Sequence, residues 1–435
     1  MNRAEMNKWF LNSVFWLAVV AIVTECKAQE WGQFRGATGS GVSSSKALPT
    51  SWNEDKVAWS VELPGQGNSS PAVNENAVFV TSQTKDLGLH VLAFSQSNGK
   101  PLWSERVGKG KLAAKGPANL YAHRHNAATP SPVADNESVW AFFGSGVLVC
   151  LDAESGELNW EVNMVEEYGA YDITFGMGST PRLVGNKVIV SCMTKGASYV
   201  VALNKDTGEL VWKHDRRFPA KDDGPDAYST PTVVQVSGKN QIVVTGSDHI
   251  NAYDPATGDQ LWFSSGLQIA SPYGRIIASP VADSGVVVAT SANPGGGGLG
   301  HIMAWKLGGK GNVRDSNALW RHAKSTPDSS TPVALNGLLF TLADNGVASC
   351  LDIRTGEVKW VKRLPTGTSY ASLVAGGGNV YAIGINGTAV VFAADTTGEI
   401  VSTNKLEGQF YSTPALVGNT IYLRSYERLL AVTRQ

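Results

Sequence analysis

Ser330-Thr331-Pro332-Val333, Gly337-Leu338-Leu339-Phe340-Thr341, Ala348-Ser349-Cys350-Leu351-Asp352 and Thr355-Gly356-Glu357-Val358-Lys359-Trp360 are four pieces of one phrase that the chain repeats. The first three are apolar β-runs separated by Gly and Asn turns, and a tight Asp-x-x-Thr-Gly turn leads into a fourth strand that carries Trp. Four short strands per unit, at a period of about 40–50 residues, is the pattern of a propeller blade.

The opening of the phrase recurs at Ser70-Pro71, Ser131-Pro132, Thr180-Pro181, Thr230-Pro231, Ser279-Pro280, Thr331-Pro332, Ser372-Leu373 and Thr413-Pro414. The closing Trp recurs at Trp103, Trp160, Trp212, Trp262, Trp320 and Trp360, with Ser402 in the seventh slot. The eighth opening runs to the end of the chain without a fourth strand. Residues 57–63, with Trp59, form a strand that no blade precedes. Joining the two makes an all-β, eight-bladed β-propeller of four-stranded antiparallel blades, its ring closed by strand 57–63 and left with no open seam.

Each residue type has a local reason. The turn Asp bonds its own following backbone, and the turn Gly takes the left-handed conformation. The turn aspartates Asp152, Asp254, Asp352 and Asp395 are therefore structural. The Trp starting each fourth strand wedges between neighbouring sheets, burying on the order of 200 Å². Small Ser or Thr suits the crowded innermost strand. Leu373 in place of Pro and Ser402 in place of Trp leave the seventh blade the least tightly tied.

Charged residues make up 17% of the 435 and the formal net charge is -1, so no basic field exists to attract nucleic acid. Arg3 and Lys8 flank an apolar stretch from Trp9 to Val23, and Cys26-Lys27-Ala28 precedes an expected cleavage before Gln29. Residues 1–28 read as a signal peptide and not a transmembrane segment, 29–56 as an extended N-terminal strap, and 57–435 as the propeller. The protein is expected to be exported, periplasmic or secreted, and monomeric. Cys150, Cys192 and Cys350 fall inside the propeller, an odd count that argues against a disulfide framework. They read as buried small hydrophobes, with a Cys150–Cys192 bridge left open.

The Asp-x-x-Thr-Gly-x-x-x-Trp repeats resemble the tryptophan-docking repeats of the pyrroloquinoline-quinone (PQQ) family of eight-bladed propellers, from about Trp59 to the end of the chain. That resemblance implies the fold and leaves the function open. The family includes quinone-dependent alcohol and glucose dehydrogenases and non-enzymatic members, such as the propeller lipoprotein of the bacterial outer-membrane β-barrel assembly machinery. With Trp31-Gly32-Gln33-Phe34-Arg35-Gly36, the chain also looks like the exported PQQ-like repeat proteins of planctomycete-type bacteria. The alcohol-oxidising branch implies a vicinal Cys-Cys disulfide, a Trp floor, an Asp base, and Glu, Asn and Asp oxygens around calcium. No Cys-Cys pair occurs here, and the long insertions that build a substrate cap are missing.

Propeller ligands sit at the mouth of the axial channel, where loops from each fourth strand to the next blade converge. Those loops are longest over the first half of the ring, which reads as a lopsided recognition surface. The expected partner-binding residues at this funnel mouth are Tyr121, His123, Arg124, His125, Asn126, Met177, Asp226, Tyr228, Arg275, Asp328, Tyr370 and Tyr411. His123 and His125 point the same way if the segment is extended, but no Asp, Glu or Cys lies near to complete a metal site. No metal is expected. Gly295–Gly298 is not followed by a helix and reads as a loop, not a phosphate cradle.

The resulting expectation is an exported, non-catalytic propeller serving as a binding platform for protein or polymer partners, with no cofactor. The alternative is a PQQ-dependent dehydrogenase of alcohols or sugars, with calcium, Arg275 near the quinone oxygens and Asp226 or Asp328 as base.

Overall fold

A computed structural model describes residues 31–112 and 125–434. Residues 1–28, read as a signal peptide, lie outside the described residues. Eight separate sheets follow one another around a ring. Blade 1 spans 72–109, blade 2 133–163, blade 3 182–215, blade 4 232–265, blade 5 281–322, blade 6 333–363 and blade 7 374–405. Blade 8 combines 415–433 with Val57–Glu62. No helix among the described residues is long and apolar enough to cross a membrane.

Middle strands are apolar on both faces because a neighbouring blade covers each face. In blade 6, Leu338–Leu342 and Val347–Asp352 are buried along almost their whole length, while the outer strand Val358–Arg363 has no fully buried residue and mixes exposed and half-buried positions. The ring closes where the sequence indicates. Val57–Glu62 pairs antiparallel with Arg428–Thr433, with Trp59 opposite Ala431 and Glu62 opposite Arg428.

The repeated Trp ties blade to blade by two contacts. Its indole N–H donates to a carbonyl in the turn of the next blade: Trp59 to Gln96, Trp103 to Ala153, Trp160 to Lys205, Trp212 to Pro255, Trp320 to Ile353 and Trp360 to Asp395, all at 2.9–3.3 Å. Its ring lies on the Gly of that turn. A Cβ built on Gly258 would stand 2.5 Å from the Trp212 ring, and Gly258 has φ +76°, so a side chain is excluded twice. Within these turns the Asp352 carboxylate accepts the N–H groups of Arg354 and Thr355, both at 2.9 Å, as its structural reading requires.

Two interfaces depart from the pattern. Blade 5 has no Thr-Gly turn, and residues 307–317 form an insert between its last two strands. Trp262 accordingly bonds Gln241 of its own blade. The insert supplies the tie instead: Gly311–Asn312 adds a fifth, parallel strand to the outer edge of blade 4, opposite Trp262 and Phe263. At blade 7, Ser402 faces the seam where the chain ends meet, and no turn waits there to receive an indole. Trp52 fills the position. It is 4% exposed and stacks on Tyr381 at 6.5 Å, and its backbone N–H donates to Asn404 Oδ1 at 2.8 Å. Ser402 Oγ and Asn404 both bond the Thr50 carbonyl. The seventh blade is tied by the segment that precedes the propeller, where the sequence suggests a loose joint.

Residues 31–43 run across the end of the ring where the inner strands finish. Trp31, Gly32, Thr38 and Gly41 offer carbonyls to the N–H groups of Val73, Ala134, Val233 and Ala375, at 2.7–3.0 Å. Ser43 Oγ donates to Leu416 O of blade 8 at 3.0 Å. Two fully buried guanidiniums fix this crossing. Arg182 bonds Phe34, Gly36 and Pro231 carbonyls, and Arg35 bonds those of Ser40, Thr331, Pro332 and Leu373. Burial pushes both down to about 9, with the Arg182 charge adding to the effect on Arg35. Both remain cations at neutral pH.

Cys150, Cys192 and Cys350 are free, buried thiols. The Cys150–Cys192 bridge does not form: Cys192 Sγ instead meets the Tyr171 hydroxyl at 3.4 Å.

Candidate functional site

The blade-opening Ser and Thr carry more than small size. Each hydroxyl oxygen accepts the backbone N–H of the opening residue one blade earlier. The bonds run Ser70 to Ser131, Ser131 to Thr180, Thr180 to Thr230, Thr230 to Ser279, Ser279 to Thr331, Thr331 to Ser372, Ser372 to Thr413 and Thr413 back to Ser70. All eight lie between 2.8 and 3.2 Å and close a circle. Pro follows seven of these residues and has no N–H to satisfy at the crowded axis. The exception, Leu373, sends its N–H to Thr331 O at 3.2 Å.

These hydroxyls form the collar of an axial cavity of about 240 Å³. The wall above the collar comes from the residue two positions before each opening: Asn68, Thr129, Gly178, Tyr228, Ile277, Ser329, Tyr370 and Tyr411. His125, Phe175 and Arg275 complete it, and Phe34 enters from the crossing segment. Blades 7 and 8 present a stacked pair, Tyr370 on Tyr411 at 6.1 Å and 11°, with Tyr426 edge-on to Tyr411. The Arg275 guanidinium lies over the Phe175 ring at 4.5 Å. His125 is fixed at both nitrogens, by Thr129 Oγ1 at 2.9 Å and Gly176 O at 3.2 Å. Tyr228 accepts the Phe175 N–H at 3.3 Å, and burial, aided by Asp226, holds its phenol well above its ordinary pKa.

Of the residues expected at the mouth, His125, Tyr228, Arg275, Tyr370 and Tyr411 line this cavity. Tyr121, His123 and Arg124 lie outside the described residues. Four others fold away from the wall. Met177 is fully buried in the same core cluster as Cys192. Asn126 closes a turn, accepting the Ala128 N–H at 2.9 Å and donating to Gln66 O at 3.0 Å. Asp226 is fully buried, accepts the Thr174 N–H at 2.8 Å, and is raised by desolvation. Asp328 accepts the Asn293 N–H at 2.6 Å and gives its own N–H to Asp344, whose carboxyl burial, with Asp328 adding, pushes up to about 6. Loops that reach the axis also have to pack on their own blades, and these side chains do the packing. Phe175, Ile277, Asn68 and Ser329 belong to the wall without having been singled out in the sequence, although counting two residues back from each opening finds the last three.

A calcium-bound quinone needs oxygen anions around the metal. Among the described residues the cavity wall contains no Asp or Glu, and no group of three His, Cys, Asp or Glu could hold a metal ion. Asp226 and Asp328, the two candidate bases, do not face the cavity. The donor set does not fit that cofactor.

The sequence profile of the family described as outer membrane protein assembly factor BamB matches residues 41–130, 121–362 and 312–435. Outer membrane protein assembly factor BamB of Escherichia coli (strain K12) is 24% identical over 343 residues, covering 75% of this chain and 76% of that protein. The structure of BamB from Moraxella catarrhalis superimposes with a TM-score of 0.60 at 16% identity, over 86% of this chain and 98% of the other. A europium-containing methanol dehydrogenase gives 0.65 at 13% identity, over 92% and 90%. At these identities the structural likeness shows the shared propeller fold.

Proposed function

Because the chain belongs to the outer membrane protein assembly factor BamB family, we propose that it is an exported, non-catalytic propeller that holds protein partners at its loop-bearing face, around the axial funnel. One observation carries the reading. The ring is closed by eight hydrogen bonds, residues 31–43 cover one end, and the other end is a mouth rimmed by His125, Arg275, Tyr370 and Tyr411. Such a frame keeps aromatic and cationic side chains in fixed positions, which lowers the entropy lost on binding. The relatives' name, outer membrane protein assembly factor, makes an envelope protein the expected partner; a polymer is the other candidate.

Alanine at Arg275, Tyr370 and Tyr411 should cut partner capture from envelope extracts at least ten-fold, about 1.4 kcal/mol, while the melting temperature stays unchanged. Full capture by the triple variant contradicts the platform. Export is tested separately: the mature protein should begin at Gln29. A quinone absorbance that survives desalting after incubation with PQQ and calcium would favour the dehydrogenase reading instead.

A further inference from the structure

We propose that the axial funnel is a carboxylate site, taking an organic acid group at the hydroxyl collar with its apolar stem against the tyrosine wall. The inference deepens the platform reading by naming the chemical group a partner would insert there.

Three observations carry it. The first is a surplus of donors. Every collar hydroxyl belongs to a residue no more than 5% exposed and spends one lone pair on a backbone N–H. None of the eight O–H groups donates to another described residue, and all eight residues line the cavity. Eight donors therefore converge on a space where the protein offers few acceptors.

The second is charge. Among the described residues no carboxylate lines the wall, Arg275 does, and beneath the collar Arg35 and Arg182 are held by carbonyl oxygens with no carboxylate partner. A cation would meet three guanidiniums across a poorly screened interior, and an anion meets their attraction.

The third is shape. An apolar cavity of about 150 Å³ accommodates one benzene, so 240 Å³ has room for a ring and a carboxylate. Tyr228, Ile277 and the stacked Tyr370–Tyr411 pair supply apolar contact above the collar. A bare inorganic oxyanion would leave that wall unused.

The test titrates the mature protein with 3-phenylpropanoate and with its neutral twin 3-phenylpropanamide, following heat and tyrosine fluorescence. The acid should bind, the amide at least ten-fold more weakly, and inorganic phosphate should not displace the acid. Arg275→Gln should weaken the acid at least ten-fold at unchanged melting temperature and leave the amide alone. A tetrapeptide with a free C-terminus and its amidated twin distinguish the source: if only the free peptide outbinds the small acid, the group is a polypeptide end, and if the small acid outbinds both, it is a free metabolite. Equal binding of acid and amide, no acid binding at about 10 mM, or an Arg275→Gln protein that binds as the wild type would each overturn the proposal. Partner capture is read separately, so either result can fail while the other stands.

Discussion

A single oxygen atom per blade holds the axis together. Thr180 Oγ1 accepts the buried Ser131 N–H at 3.0 Å. Thr180→Val keeps the shape and leaves that N–H unpaired, so chemical denaturation should show a loss of about 1–3 kcal/mol, whereas Thr180→Ser should be nearly neutral. A neutral valine would mean that size alone matters at this position. Asp344 is a second residue with a measurable signature. Its folded carboxyl keeps a proton to about pH 6, against 3.8 ordinarily, so the folded state binds more protons between those values. Stability contributed by the neutral form is complete below the lower value and is lost as pH rises through 6. Asp344→Asn should flatten the fall in melting temperature over that window and be no less stable than the wild type at pH 7; an unchanged pH profile would assign the fall to other groups, Asp248 among them.

At the scale of the element, the joint between blades is a Trp in one strand and a Gly in the next blade's turn. Gly258→Ala places a Cβ into the Trp212 ring at a positive φ and should cost about 1–3 kcal/mol by calorimetry. The seventh joint reverses the rule. Ser402→Trp restores the repeat, yet Thr50 and Trp52 occupy the space and no turn receives the indole, so the substitution should lower the melting temperature by a similar amount. A gain in stability would show that Trp52 is a poor substitute.

These cases explain what the sequence reveals and what it hides. Turn, Trp and opening recur because the same geometry recurs, so blade number, register and the closing strand are legible from spacing. Ser402 reads as a defect only while the seam opposite it is out of view. The opening Ser and Thr read as small residues because hydroxyl direction is invisible in a repeat. The funnel is half legible: Tyr228, Tyr370 and Tyr411 stand at a fixed offset from the openings, while Asp226, Asp328 and Met177 sit in loops whose inward or outward course depends on packing that no local pattern encodes.

For the whole molecule, closure makes the two ends of the axis unequal. Residues 31–43 cap the inner strands of one end, and the other end gathers the loops and the aromatic wall. The most direct test places a photo-crosslinking phenylalanine analogue at Tyr370 or Tyr411 at the mouth, and at exposed Asn186 on the opposite face. In living cells the mouth positions should give discrete protein adducts and position 186 none. Adducts from position 186, with none from 370 or 411, would contradict a partner-holding mouth.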